Sequence, residues 1–245
     1  MIVQLFRPIP SRKYDNMNCR YLIKDNNPSL LLFFSGWGGE EALFRNYRPT
    51  GADWLFCDDY RSLDFDTGLL SGYDEIRVAA WSLGVWVAGH VLENTQAPFG
   101  DKVAVNGTMM PVDDAYGIPE KIFKGTLEHL DEASLRKFRR RMCGSSAALD
   151  NFMSHGPQRT AAVLKDELDV LYHAVKGCPP PDFKWTAALV GTADMIFPFR
   201  SQEAFWSRCN VPVSVYDEAH YSERLFRAAI GCMGQDVSGR EDCNG

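Results

Sequence analysis

Six short apolar runs limit this chain to a few architectures. They are "SLLLFFSG" (29–36), "DWLFCD" (53–58), "EIRVAAW" (75–81), "DKVAVNG" (101–107), "WTAALVG" (185–191) and "VPVSVYDE" (211–218). A strand with one wet face alternates apolar and polar residues. Several of these runs do not, as expected for strands covered on both faces in a parallel sheet. Helix-capable segments at 83–95 and 200–209 lie between them. The reading is an α/β fold with helices on both faces of a mostly parallel sheet. A chain of 245 residues can bury a core of that kind as one domain.

One stretch breaks the rhythm. From 108 to 180 no strand-like run occurs, and "IPEKIFKGTLEHLDEASLRKFRRRMCG" and "AAVLKDELDVLYHAV" read as charged helices, closed by the stiff turn "GCPPPD" (177–182). The expected organisation is a core from 1–107 and 181–245, with a helical lid insertion at 108–180 over the carboxyl ends of the strands. Open α/β sheets bind ligands at that edge. An enlarged flanking helical layer is the plainer alternative.

A formal net charge of −6 argues against general nucleic-acid binding. Seven scattered cysteines (19, 57, 143, 178, 209, 232, 243) include no CxxC and no Cys/His pair at metal-ligand spacing. They read as reduced thiols, with no metal site expected. The start "MIVQLFRPIPSRKYD" lacks a signal-peptide pattern, and no apolar run reaches the roughly 18 residues of a membrane span. A cytoplasmic monomer is expected, and the tail "GQDVSGREDCNG" (234–245) reads as loosely ordered.

Within "RVAAWSLGVWVAG" (77–89), a strand meets Trp81-Ser82-Leu83-Gly84 and continues as a helix. That is the layout of a nucleophile elbow, with Ala80 standing where the usual G-x-S-x-G pattern has its first glycine. A serine hydroxyl is a poor nucleophile at neutral pH and needs a base that is itself oriented by a carboxylate. In this layout the chain order is serine, acid, histidine. Asp194 in "GTADMIFP" and His220 in "YDEAHYSE" each follow a strand-like run. Ser82, Asp194 and His220 are therefore expected on one edge of the sheet. Asp113 and Asp114, after "NGTMMP", are the rival acids. His90 reads as a packed helical residue, and His129, His155 and His173 fall in the insertion.

Acyl chemistry also needs donors for the developing oxyanion. The expected donors are the backbone N–H of Leu83, next to the serine, and that of Trp37 in "SGWGG", where glycines permit close approach. The run Arg136-Lys137-Phe138-Arg139-Arg140-Arg141 holds five cations in six positions. Helical spacing puts Arg136, Arg139 and Arg140 on one face, with Lys137 and Arg141 on a neighbouring one. A solvated helix surface and a docking patch for an acidic partner or a phosphate both fit.

Taken together, "FFSGWGG", "AAWSLGVW", "NGTMMPVDD", "FRRRMCG", "GTAD" with "IFP", and "DEAHY" resemble the BioG family, pimeloyl-ACP methyl ester esterases of biotin synthesis with an α/β-hydrolase fold. The resemblance runs from about 30 to 225. It implies a serine carboxylesterase without cofactor, in which Ser82 is nucleophile, His220 base and acid, and Asp194 its orienter. The amides of Trp37 and Leu83 then form the oxyanion hole. It also implies an acidic acyl carrier protein as partner, which the basic run would meet. Ser35 stands where many α/β-hydrolases carry histidine, a departure that leaves catalysis intact. A broader short-chain esterase or thioesterase, and a non-catalytic carrier-protein binding module, are the alternatives.

Overall fold

The computed structural model describes residues 17–231. The amino-terminal stretch read for a leader, the tail from 234, and Cys232 and Cys243 lie outside the described residues. Seven strands form one sheet: β1 (Asn18–Ile23), β2 (Ser29–Phe34), β3 (Asp53–Asp58), β4 (Glu75–Trp81), β5 (Phe99–Val105), β6 (Ala187–Gly191) and β7 (Val213–Tyr216). Their order is β1-β3-β2-β4-β5-β6-β7. All neighbouring pairs are parallel except β1 with β3.

The sheet is covered on both faces, as the unalternating runs require. Along β2, Leu30, Leu32 and Phe34 join one apolar cluster, while Leu31 and Phe33 join the other. The two-residue period of a strand sends neighbours to opposite sides, so both sides must be apolar. The first cluster includes Trp86 and Val87 of α1 (Leu83–Leu92) and Phe205 and Trp206 of α6 (Phe199–Arg208). The second is built on Leu225, Phe226 and Ile230 of α7 (Glu223–Gly231).

β1 lies outside the six expected runs. Its sequence "NCRYLI" is half polar, because it is an edge strand bonded only through β3, with most of its residues half-buried. Cys19 faces Cys57 across that pair, their sulfurs 3.0 Å apart as free thiols.

Four helices lie between β5 and β6: α2 (Glu120–Glu128), α3 (Glu132–Cys143), α4 (Ser146–Ser154) and α5 (Ala161–Gly177). Local signals set their ends. Asp131 caps α3 by accepting the Ser134 N–H at 2.7 Å, the Ser134 hydroxyl accepts the Asp131 N–H in return, and Gly144 ends the helix at φ +71°. Among the described residues no helix is long and apolar enough to cross a membrane.

Candidate active site

Ser82 sits at the turn from β4 into α1 with φ +59° and ψ −127°. A non-glycine residue held there costs roughly 1–3 kcal/mol, so the surroundings must over-determine it. They do so by close packing. A Cβ added at Gly84 would lie 2.3 Å from the Ser35 carbonyl oxygen and 2.6 Å from that of Phe34. The first turn of α1 therefore rests on the carboxyl end of β2. Ala80 is fully buried beside Phe34 of β2, in a slot that its single methyl fits.

His220 lies in the loop between β7 and α7, only 2% exposed. Its Nε2 is 2.9 Å from Ser82 Oγ and its Nδ1 is 2.8 Å from Asp194 Oδ2. An imidazole that donates its Nδ1–H to a carboxylate presents Nε2 as an acceptor for the serine hydroxyl. The carboxylate is held in turn. Asp194 Oδ1 accepts the N–H groups of Ile196 and Phe197 at 2.7 and 2.9 Å, and Oδ2 also accepts Gln202 Nε2 at 3.1 Å. These donors fill its acceptor positions and fix its plane. Asp113 and Asp114 are engaged elsewhere. Asp113 accepts the amides of Ala115 and Tyr116, and Asp114 accepts that of Glu120.

Two further residues fix the histidine, and sequence reasoning did not single out either. Trp81 Nε1 and Asn106 Nδ2 both donate to the His220 carbonyl at 3.0 Å. Asn106 also donates to the Ala219 carbonyl at 3.0 Å and accepts the Gly191 N–H at 2.8 Å. It is fully buried at φ +44°. The signal was an Asn-Gly pair at the carboxyl end of an apolar strand, where asparagine tolerates the left-handed region. The imidazole stacks on Phe197, with centroids 5.9 Å apart and planes 7° apart. Of the other histidines, His90 stacks on Trp86 at 4.8 Å. His155 Nδ1 meets the Asn151 carbonyl, and His173 faces Asp169 on an exposed helix surface.

Trp37 and Leu83 border the same narrow cavity as Ser82 and His220, of about 40 Å³. Leu83 opens α1, where an N–H has no carbonyl one turn back in the helix. The remaining wall is mostly apolar, with Ile118, Ile122, Phe123, Phe138, Leu168 and Ile196 among its residues. Arg141 stands at its edge. A wider groove of about 590 Å³ shares Ile122, Thr126, Phe138 and Arg141 with this cavity and adds Lys121, His129, Lys137 and Arg140.

One residue of the basic run departs from expectation. Arg139 is buried, its guanidinium carbon 5.8 Å from the Phe152 ring centre, while Arg136, Lys137, Arg140 and Arg141 are exposed. The buried stripe of α3 is Leu135, Arg139, Met142 and Cys143, a spacing that turns residue 139 inward. It presents no charge to a partner. Among the described residues no group of three or more His, Cys, Asp or Glu is arranged to hold a metal ion.

A serine at the strand–helix turn of a doubly covered, mostly parallel sheet, with acid and histidine following later strands, defines the α/β-hydrolase class. MGS-M2, an α/β-hydrolase enzyme from a Medee basin deep-sea metagenome, shares the fold with a TM-score of 0.59 at 13% identity, covering 89% of this chain and 94% of that one. The chain belongs to the BioG family, matching over residues 17–228 the family described as pimeloyl-ACP methyl esterase BioG. The crystal structure of BioG from Haemophilus influenzae agrees with a TM-score of 0.78 at 36% identity, covering 84% of this chain and 94% of that one. A Bacteroides fragilis protein named malonyl-[acyl-carrier protein] O-methyltransferase is 47% identical over 197 residues. The match takes in 80% of this chain and 40% of that protein, so this chain spans two fifths of that relative's length.

Proposed function

We propose that this chain is a serine carboxylesterase that hydrolyses the methyl ester of pimeloyl-acyl carrier protein. The reading rests above all on the hydrogen-bonded series Ser82–His220–Asp194 beside an apolar cavity. Ser82 Oγ attacks the ester carbonyl as His220 Nε2 takes its proton, and the amides of Trp37 and Leu83 receive the developing oxyanion. His220 returns the proton to the leaving methoxy oxygen. Water activated by the same imidazole then cleaves the acyl-serine, freeing the carboxylate. Asp194 orients the imidazole and stabilises its charged form.

The apolar wall suits the methylene chain of a dicarboxylate, with the methyl-ester end against Ser82. In this reading residues 108–180 act as a lid over a core whose described parts are 17–107 and 181–231. The wider groove, with Lys121, Lys137, Arg140 and Arg141, leads the phosphorylated carrier arm to an acidic carrier protein, helped by Arg136. The family description supports this, and so does the name of the Bacteroides fragilis relative. A methyl ester set on a carrier-bound malonyl carboxylate must be hydrolysed before that carboxylate is free again. Methyl transfer supplies the substrate of ester hydrolysis.

Mass spectrometry of methyl pimeloyl-carrier protein incubated with the chain tests the reading, with conversion to the free acid expected. Turnover of soluble esters without that conversion favours a broader short-chain esterase. Rescue of a biotin auxotroph lacking its methyl esterase tests the same assignment in cells. The double variant Lys137→Glu/Arg140→Glu is expected to raise KM for carrier-linked ester about tenfold or more, since charge pairing governs encounter. Hydrolysis of p-nitrophenyl butyrate should stay within about twofold. Equal loss on both substrates would remove the docking role.

A further inference from the structure

The loop Ser35–Glu40, which carries Trp37, is held by residues that do not line the Ser82 cavity. Trp37 Nε1 donates to the Leu164 carbonyl of α5 at 2.8 Å. The Glu40 carboxylate accepts the N–H groups of Gln158 and Arg159, each at 3.0 Å, just ahead of that helix. Behind these contacts sits Glu167 of α5, fully buried. Its Oε1 accepts the Tyr60 N–H at 2.8 Å, and its Oε2 meets Arg159 Nη1 at 2.9 Å. Tyr60, also fully buried, donates its hydroxyl to the Ser35 carbonyl at 2.6 Å.

One carboxylate thus holds both ends of the loop. Through Tyr60 it reaches Ser35, and through Arg159 it reaches the segment that binds Glu40. A buried carboxylate is costly even when paired, and a well-packed apolar residue in its position often serves stability as well or better. Burial pushes the Glu167 carboxyl up to about 7 against the opposing pull of Arg159, with Asp58 and Asp59 nearby adding to the upward push.

We propose that Glu167 is a positioning residue for the oxyanion hole, setting through Tyr60 and Arg159 where the Trp37 amide stands over Ser82. This rests on the serine-hydrolase reading above. Oxyanion donors must lie about 2.7–3.1 Å from the site of developing charge. A displacement of about 1 Å can cost roughly 100-fold in rate. Loss of that alignment lowers kcat and spares KM, because ground-state binding is left to the apolar wall.

Glu167→Gln keeps the side-chain shape and the acceptor for Tyr60 but removes the charge facing Arg159. Tyr60→Phe removes the hydroxyl that bonds the Ser35 carbonyl at 2.6 Å and, more weakly, the Cys57 carbonyl at 3.2 Å. With p-nitrophenyl butyrate, each is expected to lower kcat about 10–100-fold while KM stays within about twofold. Covalent labelling of Ser82 by a fluorophosphonate should slow by a similar factor, since that reagent also develops charge in the oxyanion hole. If the glutamine variant does not fold, the phenylalanine variant carries the test alone. Lower thermal stability with unchanged kcat and labelling rate, or a loss confined to KM, overturns the proposal. A wild-type chain that neither turns over ester nor takes the label overturns the hydrolase reading itself.

Discussion

Ser82→Ala is expected to abolish ester hydrolysis, with kcat falling by about 10⁶-fold, the scale found when a triad nucleophile is removed. The effect is large because the hydroxyl it removes is the one that meets His220 Nε2, at 2.9 Å. Folding should survive, because the Ser82 backbone bonds to Val105 and Val85 are kept and the alanine methyl is smaller than the group it replaces. Steady-state hydrolysis of p-nitrophenyl butyrate, run beside a melting curve, checks both parts. A properly folded variant that keeps a tenth of wild-type kcat would show that the nucleophile lies elsewhere.

The second large effect is on the fold and the site together. Gly84→Ala would drive a methyl group into the carbonyls of Ser35 and Phe34, at 2.3 and 2.6 Å from its carbon. Both obstacles are backbone, one on a central strand and the other at the root of the loop that carries Trp37, so no rotamer change relieves them. Overpacking a core typically costs about 1–3 kcal/mol, and a backbone obstacle puts this case at or above the top of that range. The melting temperature should fall by several degrees, on the order of 2–4 °C for each kcal/mol at this chain length. Residual folded protein should hydrolyse ester at least tenfold more slowly, because α1 and the loop that carries Trp37 are pushed apart. A variant with wild-type melting and activity would mean that the helix sits further from β2 than the structure has it.

The strands of the sheet interior were legible because burial on both faces leaves an unmistakable record in consecutive apolar residues. "SLLLFF" and "EIRVAAW" could hardly lie anywhere else. β1 was not legible, since an edge strand with polar neighbours looks like a loop until its partner is known. The three polar residues of the site could be ordered from sequence because each follows a strand and strand ends share an edge. What holds them could not be. Asn106 acts on residues 113 and 114 positions further along the chain, and Glu167 acts on Tyr60 across 107 positions. No local pattern encodes such partners. Arg139 shows the opposite difficulty. Helical spacing grouped it with Arg136 and Arg140, which are exposed, whereas its buried companions are Leu135, Met142 and Cys143, and its guanidinium lies by Phe152 of a different helix.

Trp81 immediately precedes Ser82, the proposed nucleophile, and its indole N–H donates to the backbone carbonyl of His220, the proposed base. The elbow and the histidine loop are thus tied by a bond separate from the one between Nε2 and the Ser82 hydroxyl. In the proposed mechanism this second tie helps keep the proton-transfer distance short, as a site held by its supporting residues requires.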